Sequence, residues 1–117
     1  MKLQIHIKED LIRNKVTNDR LGLFISNSWK NYINPYTPRD TGNLMGINGI
    51  GMVDIRPWEL DYRASYASEV YYNDKGVTFN TELNPYATDH WDHKAAQAGQ
   101  LNKLYRTINA ALQSGKF

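Results

Sequence analysis

The sequence predicts an α+β fold, in which two main helices pack on a small, mostly antiparallel β-sheet and a long glycine-rich loop connects the elements. Residues near the N-terminus alternate apolar and polar side chains. Two longer stretches carry apolar residues at helical spacing, and two short alternating segments lie between them. A chain of 117 residues is too short for two domains of ordinary size, so residues 1–117 are expected to form a single domain.

The first two elements are a strand and a helix. Residues 2–8 alternate strictly, which is typical of a half-buried strand. The helix that follows carries one apolar stripe, formed by Leu21, Phe24, Ile25, Trp29, Tyr32 and Ile33. Thr17 or Asn18 can cap its start. It ends at Asn34–Pro35, because a residue before proline is pushed out of the helical region of backbone space.

The middle of the chain is expected to form a loop and strands. Residues 42–51 contain four glycines and little periodicity, which predicts a flexible loop. Strands are expected at Met52–Arg56 and Glu59–Ala64, joined by a turn at Arg56–Trp58. A last short strand is expected over residues 77–81.

The clearest element is a C-terminal helix. Residues 66–72 form a short helix or an irregular aromatic segment, and residues 73–76 form a turn. The final helix runs from about Asp89 to Gln113, and Thr88 or Asp89 can cap it. Its apolar stripe consists of Trp91, Ala95, Ala98, Leu101, Tyr105, Ile108 and Leu112.

Charge and composition argue against several classes of function. The net charge is +2, from 14 basic and 12 acidic side chains that are interleaved along the chain, which argues against DNA binding as the main task. No apolar run is long enough to span a membrane, so no membrane partner is expected. Cysteine is absent, which excludes disulfides and thiolate metal sites. The chain has three Trp, eight Tyr and three Phe, more aromatic side chains than a small core easily buries, so some are expected at an interface.

The tripeptide Asp40–Thr41–Gly42 is the catalytic signature of aspartic proteases. Such enzymes carry it on a loop that leaves an apolar strand, and they pair it with a second aspartate. A proline-broken helix exit precedes Asp40 here, so a turn is the favoured interpretation. In that turn Asp40 caps backbone N–H groups, and Arg39 and Asp40 are exposed at a loop tip.

His90 and His93 are three residues apart, a spacing that places both on one helix face and can hold a metal ion. A catalytic zinc site needs a third protein ligand, and nothing in the sequence brings His6 near the pair. A polar first helical turn beside a buried Trp91 is therefore the favoured interpretation. No metal, cofactor or catalytic residue is predicted.

Four tyrosines are the first candidates for surface anchors, because they lie in segments without clean periodicity. They are Tyr66, Tyr71, Tyr72 and Tyr86. The glycine-rich loop lacks the Lys-Ser/Thr pair of a phosphate loop, so it is expected to order against a neighbouring molecule instead.

Three segments, taken in order, resemble the minor capsid and tail-completion proteins of long-tailed bacteriophages. They are YTPRDTGNL (residues 36–44), DYRASYASEVYYND (residues 61–74) and NPYATDHWDHKAA (residues 84–96). The residues that match the family pattern are Pro38, Asp40, Thr41, Gly42, Leu44, Tyr66, Ala67, Tyr71, Tyr72, Pro85, Tyr86 and Trp91. The resemblance spans about residues 17–113, and Asn73–Asp74 departs from it where the family has a glycine after the tyrosine pair.

The resemblance implies a structural, non-enzymatic role in the virion neck, where the head meets the tail. Family members assemble as a ring, commonly a hexamer, and contact connector or stopper proteins on one side and the tail terminator or tail tube on the other. DNA passes through the ring, and the protein is in the host cytoplasm during assembly. The residues expected at interfaces are Arg39, Asp40, Thr41, Gly42, Leu44, Tyr66, Tyr71, Tyr72 and Tyr86.

Two other interpretations stay open at this point. One is a small hydrolase, either metal-dependent through His90 and His93 or a protease that uses Asp40. The other is a nucleic-acid-binding or toxin-type module, against which the scattered charges argue.

Overall fold

The structure, a computed structural model of the chain, describes residues 1–7, 19–38, 53–74, 76, 78–79 and 85–115. These described residues contain three strands and four α-helices, which confirms the α+β class. In chain order they are β1 (Lys2–Gln4), α1 (Asp19–Ile33), β2 (Val53–Arg56), β3 (Glu59–Tyr62), α2 (Ala67–Tyr72), α3 (Trp91–Gln97) and α4 (Gln100–Gln113). The glycine-rich segment 42–51 lies outside the described residues.

The three strands form an antiparallel sheet in the order β1-β3-β2. Leu60 in the central strand β3 lies between Leu3 of β1 and Ile55 of β2, and these three side chains form an apolar row. Successive side chains of a strand point to opposite faces. Polar partners therefore occupy the other face, where the Gln4 amide donates a 2.6 Å hydrogen bond to Glu59. The alternation predicted for β1 and β3 is confirmed, but both strands are shorter than predicted and end at Gln4 and Tyr62.

Helix α1 packs on β2 and β3, and α4 packs on α1 and α3. The predicted stripe of α1 is confirmed: Leu21, Ile25, Trp29 and Ile33 are buried. The Tyr32 hydroxyl joins α1 to α4 through a 2.6 Å hydrogen bond with Thr107. The helix ends at Ile33 and continues as a 3₁₀ turn over Asn34–Tyr36, so proline stops the α-helix where the sequence predicts.

The β2–β3 turn is fixed on helix α1. Trp58 has a positive φ of 65°, an unfavourable backbone conformation for a bulky residue. Two hydrogen bonds hold it there, one from the Trp58 N–H to the Gly22 carbonyl (3.3 Å) and one from the Ile5 N–H to the Trp58 carbonyl (2.9 Å). The buried Ser26 hydroxyl accepts a third bond, from the Glu59 N–H (3.0 Å). The turn, β1 and α1 are thereby joined at one point.

The prediction of one continuous C-terminal helix is wrong. Helix α3 ends at Gln97 and α4 starts at Gln100, because Gly99 takes a φ of 92° that a continuous helix does not contain. As a result Ala98 is exposed, although the continuous pattern predicts it on the apolar stripe. The N-cap residue of α3 is His90, in a left-handed conformation, and neither Thr88 nor Asp89 occupies that position.

Two further expectations concern segments around the tyrosine pair. Residues 66–72 do contain a short helix, α2, which ends at Asn73. The strand expected over residues 77–81 is not present at Thr78 and Phe79, the two described residues of that segment. Among the described residues, no helix is long and apolar enough to span a bilayer.

We expect Gly22→Ala to destabilise the protein, although alanine ordinarily stabilises the interior of a helix relative to glycine by about 0.5–1 kcal/mol. A Cβ atom at Gly22 would lie 2.7 Å from Cδ1 of Trp58, so the indole must move and the turn with it. Overpacking of this kind costs about 1–3 kcal/mol. Urea unfolding of Gly22→Ala and of a control on the exposed face of the same helix, Asn27→Ala, measures the difference. A more stable Gly22→Ala protein would contradict the packing of Trp58 on α1.

Candidate interaction surface

The three segments that carry the family resemblance meet at the segment 85–90. The Thr88 N–H donates a 3.0 Å hydrogen bond to the carbonyl of Tyr36, in the first segment. The His90 N–H donates a 2.9 Å bond to the carbonyl of Tyr71, in the second. Two backbone hydrogen bonds, made by Thr88 and His90, therefore hold the segment 85–90 against the 3₁₀ turn after α1 and against α2.

Trp91 lies at the centre of this arrangement and is fully buried. Its indole meets the Tyr62 ring at a centroid distance of 5.3 Å and an angle of 68°. It meets the Tyr71 ring at 4.9 Å and 87°. Both are edge-to-face contacts, each worth about 0.5–1.5 kcal/mol beyond the burial of the rings. Trp91 therefore connects the start of α3 with the sheet and with α2.

The Tyr71 hydroxyl donates a 2.5 Å hydrogen bond to Oδ1 of Asp92. The same carboxylate oxygen accepts the backbone N–H of His93 at 2.8 Å. Burial of the ring raises the pKa of Tyr71 well above its usual range, and the bond to the Asp92 carboxylate raises it further. Tyr71 is thus a neutral donor that fixes the first turn of α3 against α2.

The Tyr62 hydroxyl and the Trp91 indole N–H are buried, and within the described part of the chain neither makes a hydrogen bond of ordinary geometry. Burial raises the pKa of Tyr62 strongly, and the nearby indole and Thr37 hydroxyl lower it by less. A buried polar group without a partner costs about 1–3 kcal/mol. The packing of the two large rings must outweigh that cost. Tyr62 and Trp91 therefore stabilise the fold through the burial and packing of their rings more than through hydrogen bonds.

His90 adopts a left-handed backbone conformation (φ 42°, ψ 48°) immediately before α3. Its Nδ1 lies 3.1 Å from Oδ1 of Asp89, which Lys94 also approaches at 3.8 Å. The His90 ring packs on Tyr71 at 4.7 Å and on Tyr72 at 5.5 Å. These contacts hold His90 in the conformation that bends the chain into helix α3.

In the part of the chain that the structure describes, His90 and His93 are not joined by a third side chain that could complete a metal site. The two rings are 6.4 Å apart, and His6 is exposed just after β1. Among the described residues no group of three His, Asp or Glu side chains is arranged to hold a metal ion. The carboxylates beside the pair, Asp89 and Asp92, are engaged by Lys94 and by Tyr71.

The predicted interface tyrosines occupy different environments. Tyr72 and Tyr86 are exposed, with 56% and 60% of their surface accessible. Tyr66 is half-buried against the core. Tyr71, in contrast, has only 4% of its surface accessible, so its ring belongs to the core and the expectation that it anchors on the surface is wrong. Six residues are too few for periodicity to separate the inward face of α2 from its outward face.

The other predicted interface residues lie outside the described residues. They are Arg39, Asp40, Thr41, Gly42 and Leu44. Sequence reasoning also missed Tyr36, whose ring stacks on Tyr86 at 5.3 Å and 23°. The pair is separated by about fifty residues, and nothing in the sequence pattern predicts its contact.

Residues 3–112 match the sequence model of a protein family described as Minor capsid protein. The chain belongs to this minor capsid protein family. No curated protein and no solved structure shows significant similarity to the chain. The match covers every described strand and helix except the first residue of β1 and the last of α4.

In this minor capsid protein the departure at Asn73 has a structural explanation. Asn73 caps the end of α2 with φ 49° and ψ 46°, the left-handed conformation in which glycine is favoured. Asparagine is one of the few other residues that tolerates it. The Asn73 carbonyl then accepts the N–H of Gly76 (3.0 Å), which completes the turn. Asn73 therefore takes the conformation that a glycine would supply.

We expect Tyr71→Phe to lower the free energy of unfolding by about 1–3 kcal/mol, because the substitution removes a hydrogen bond to a carboxylate from a buried ring. Tyr72→Phe is the matched control, since it deletes the hydroxyl of an exposed ring on the same helix and should change stability by less than about 0.5 kcal/mol. Urea unfolding followed by tryptophan fluorescence measures both. Equal effects of the two variants would contradict a structural role for the Tyr71–Asp92 bond.

Proposed function

We propose that this minor capsid protein is a structural component of the phage neck, which assembles as a ring at the head–tail interface and joins or completes the tail while DNA passes through. The family match over residues 3–112 carries the proposal. The order of the three motifs that resemble tail-completion proteins supports the finer assignment to the neck.

The chemistry of the described residues supports a structural role. Asp92, His90 and Tyr71 form the polar grouping closest in composition to an active site, but each already makes contacts that hold α2 and α3 together. A catalytic base must be free to reach a substrate proton. The hydrolase that uses His90 and His93 therefore has no support from these contacts.

The exposed tyrosines suit a protein that functions by binding other proteins. Tyr72 and Tyr86 present large exposed rings, and each is braced from behind by another aromatic ring, Tyr71 or Tyr36. Aromatic anchors of this kind dominate the energy of protein interfaces, particularly when they are already rigid. A folded core that exposes braced tyrosines suits docking on a neighbouring virion protein.

The partners that follow from this function are other copies of the chain in a ring, which we take to be a hexamer, and the flanking proteins of the neck. Connector or stopper proteins are on the head side, and the tail terminator or tail tube is on the other. A net charge of +2 suits a ring through which DNA passes without being retained.

Deletion of the gene from a phage that carries it tests the proposal. We expect electron microscopy to show DNA-filled heads and free tails, and addition of the purified protein to restore joined, infectious particles. His93→Ala should restore joining as well as the unaltered protein, because the exposed His93 side chain has no part in a structural role. Normal joined particles in the deletion strain, or loss of joining by His93→Ala with the fold intact, would contradict the proposal.

A further inference from the structure

Two parts of the fold, α2 with the turn after it and α4, each carry exposed side chains of a single charge sign that have no partner among the described residues. Within the described part of the chain, most carboxylates contact another group: Asp54, Glu59, Asp61, Asp89 and Asp92. Asp19 at the start of α1 does not, and neither do Glu69 and Asp74, which are both exposed, on α2 and on the turn after it. Glu69 and Asp74, with the exposed Tyr72, form what we call the α2 surface.

Cations without an ion pair among the described residues include Lys2 on β1 and Lys30 on α1, and two more lie together on α4. Its exposed side chains are Asn102, Lys103, Arg106, Ala110 and Gln113, which we call the α4 surface. The helix contains no acidic residue, and neither Lys103 nor Arg106 makes an ion pair within the described residues. Arg106 and Ala110 are four residues apart, hence neighbours on one helix face.

We propose that the α2 surface of one copy of this chain docks on the α4 surface of the next copy, with Tyr72 against Ala110 and Arg106. This inference rests on the proposed ring and names the contact that would build it. The side chain of Ala110 is small enough to admit an aromatic ring between helical neighbours. Arg106 stacks over that ring as a cation on its π face, and Lys103 and Arg106 face Glu69 and Asp74.

A second copy fits the α4 surface better than DNA does. Two cations neutralise too few phosphates for appreciable binding at physiological salt, where affinity depends on several such contacts. The α2 surface supplies the matching acidic partner and a braced ring, since Tyr72 packs edge-to-face on Tyr71 at 5.1 Å. Lys75, which follows Asp74 and lies outside the described residues, reduces the local negative charge but leaves an excess of carboxylates from Glu69 to Asp92.

The two surfaces are different, so the contact is head to tail, and a ring forms when the rotation between successive copies closes. A head-to-tail contact has a distinctive consequence for charge reversal. Glu69→Arg disables the α2 surface and Arg106→Glu disables the α4 surface, yet each variant keeps the other surface intact. When the two variants are mixed, the reversed surfaces complement each other and so do the unaltered ones.

Sedimentation equilibrium of the full chain, at concentrations up to about 1 mM, tests the inference. We expect each variant alone to associate at least about tenfold more weakly than the unaltered protein, and the equimolar mixture to recover association. Association should also weaken as salt rises from about 0.05 to 0.5 M, because screening shortens the reach of the charges. Lys2→Glu, a charge reversal on an exposed strand residue, is the control and should leave association unchanged. Circular dichroism verifies that every variant is folded.

Three results would overturn the inference: an unaltered protein that remains monomeric at about 1 mM, single variants that associate normally, or a mixture that shows no recovery. Loss of duplex DNA binding by Arg106→Glu with normal self-association would assign the α4 surface to DNA instead. Each of these outcomes leaves the deletion experiment above unaffected. A failure of this contact is therefore distinguishable from a failure of the neck assignment.

Discussion

The arrangement of the helices and the sheet depends on the contacts made by the buried indole of Trp91. Tyr62 meets it from the sheet and Tyr71 meets it from α2, both edge-to-face. Trp91 is also the first residue of α3, so its position sets where that helix begins. Truncation of a buried tryptophan costs about 3–5 kcal/mol, a large fraction of the stability of a small domain.

The polar groups around Trp91 have structural roles that account for their composition. The Asp92 carboxylate receives the Tyr71 hydroxyl, and Asp89 lies against His90 and Lys94. His90 makes the left-handed bend that turns the chain from the segment 85–90 into α3. A cluster of Asp, His and Tyr side chains is often interpreted as an active site. Here each group has a structural role, either in starting helix α3 or in holding a buried ring. Tyr72 and Tyr86 are exposed, and each packs on another aromatic ring, Tyr71 or Tyr36, an arrangement that suits an interface.

Periodicity predicted the elements that are long or regularly alternating. Helix α1, with its stripe from Leu21 to Ile33, and strand β3 follow the sequence pattern because one face of each is buried. The break between α3 and α4 was not predicted, because an isolated glycine inside a helical pattern is usually tolerated and only the backbone angle of Gly99 reveals the interruption. The inward position of Tyr71 and the stacking of Tyr36 on Tyr86 depend on contacts between distant segments. The family motifs, in contrast, predicted a minor capsid protein without any geometry, and the family match confirmed that family.

Hydrogen exchange of the tryptophan indole N–H groups tests the central position of Trp91 most directly. The chain has three tryptophans, and substitution of each by phenylalanine assigns the three indole signals in a nitrogen–proton correlation spectrum. We expect the Trp91 signal to exchange only through global unfolding, because burial alone protects its N–H, which makes no hydrogen bond among the described residues. The half-buried Trp58 indole should exchange faster in the same sample. Exchange of Trp91 as fast as that of Trp58 would show that the centre of the domain opens easily, and would contradict the account.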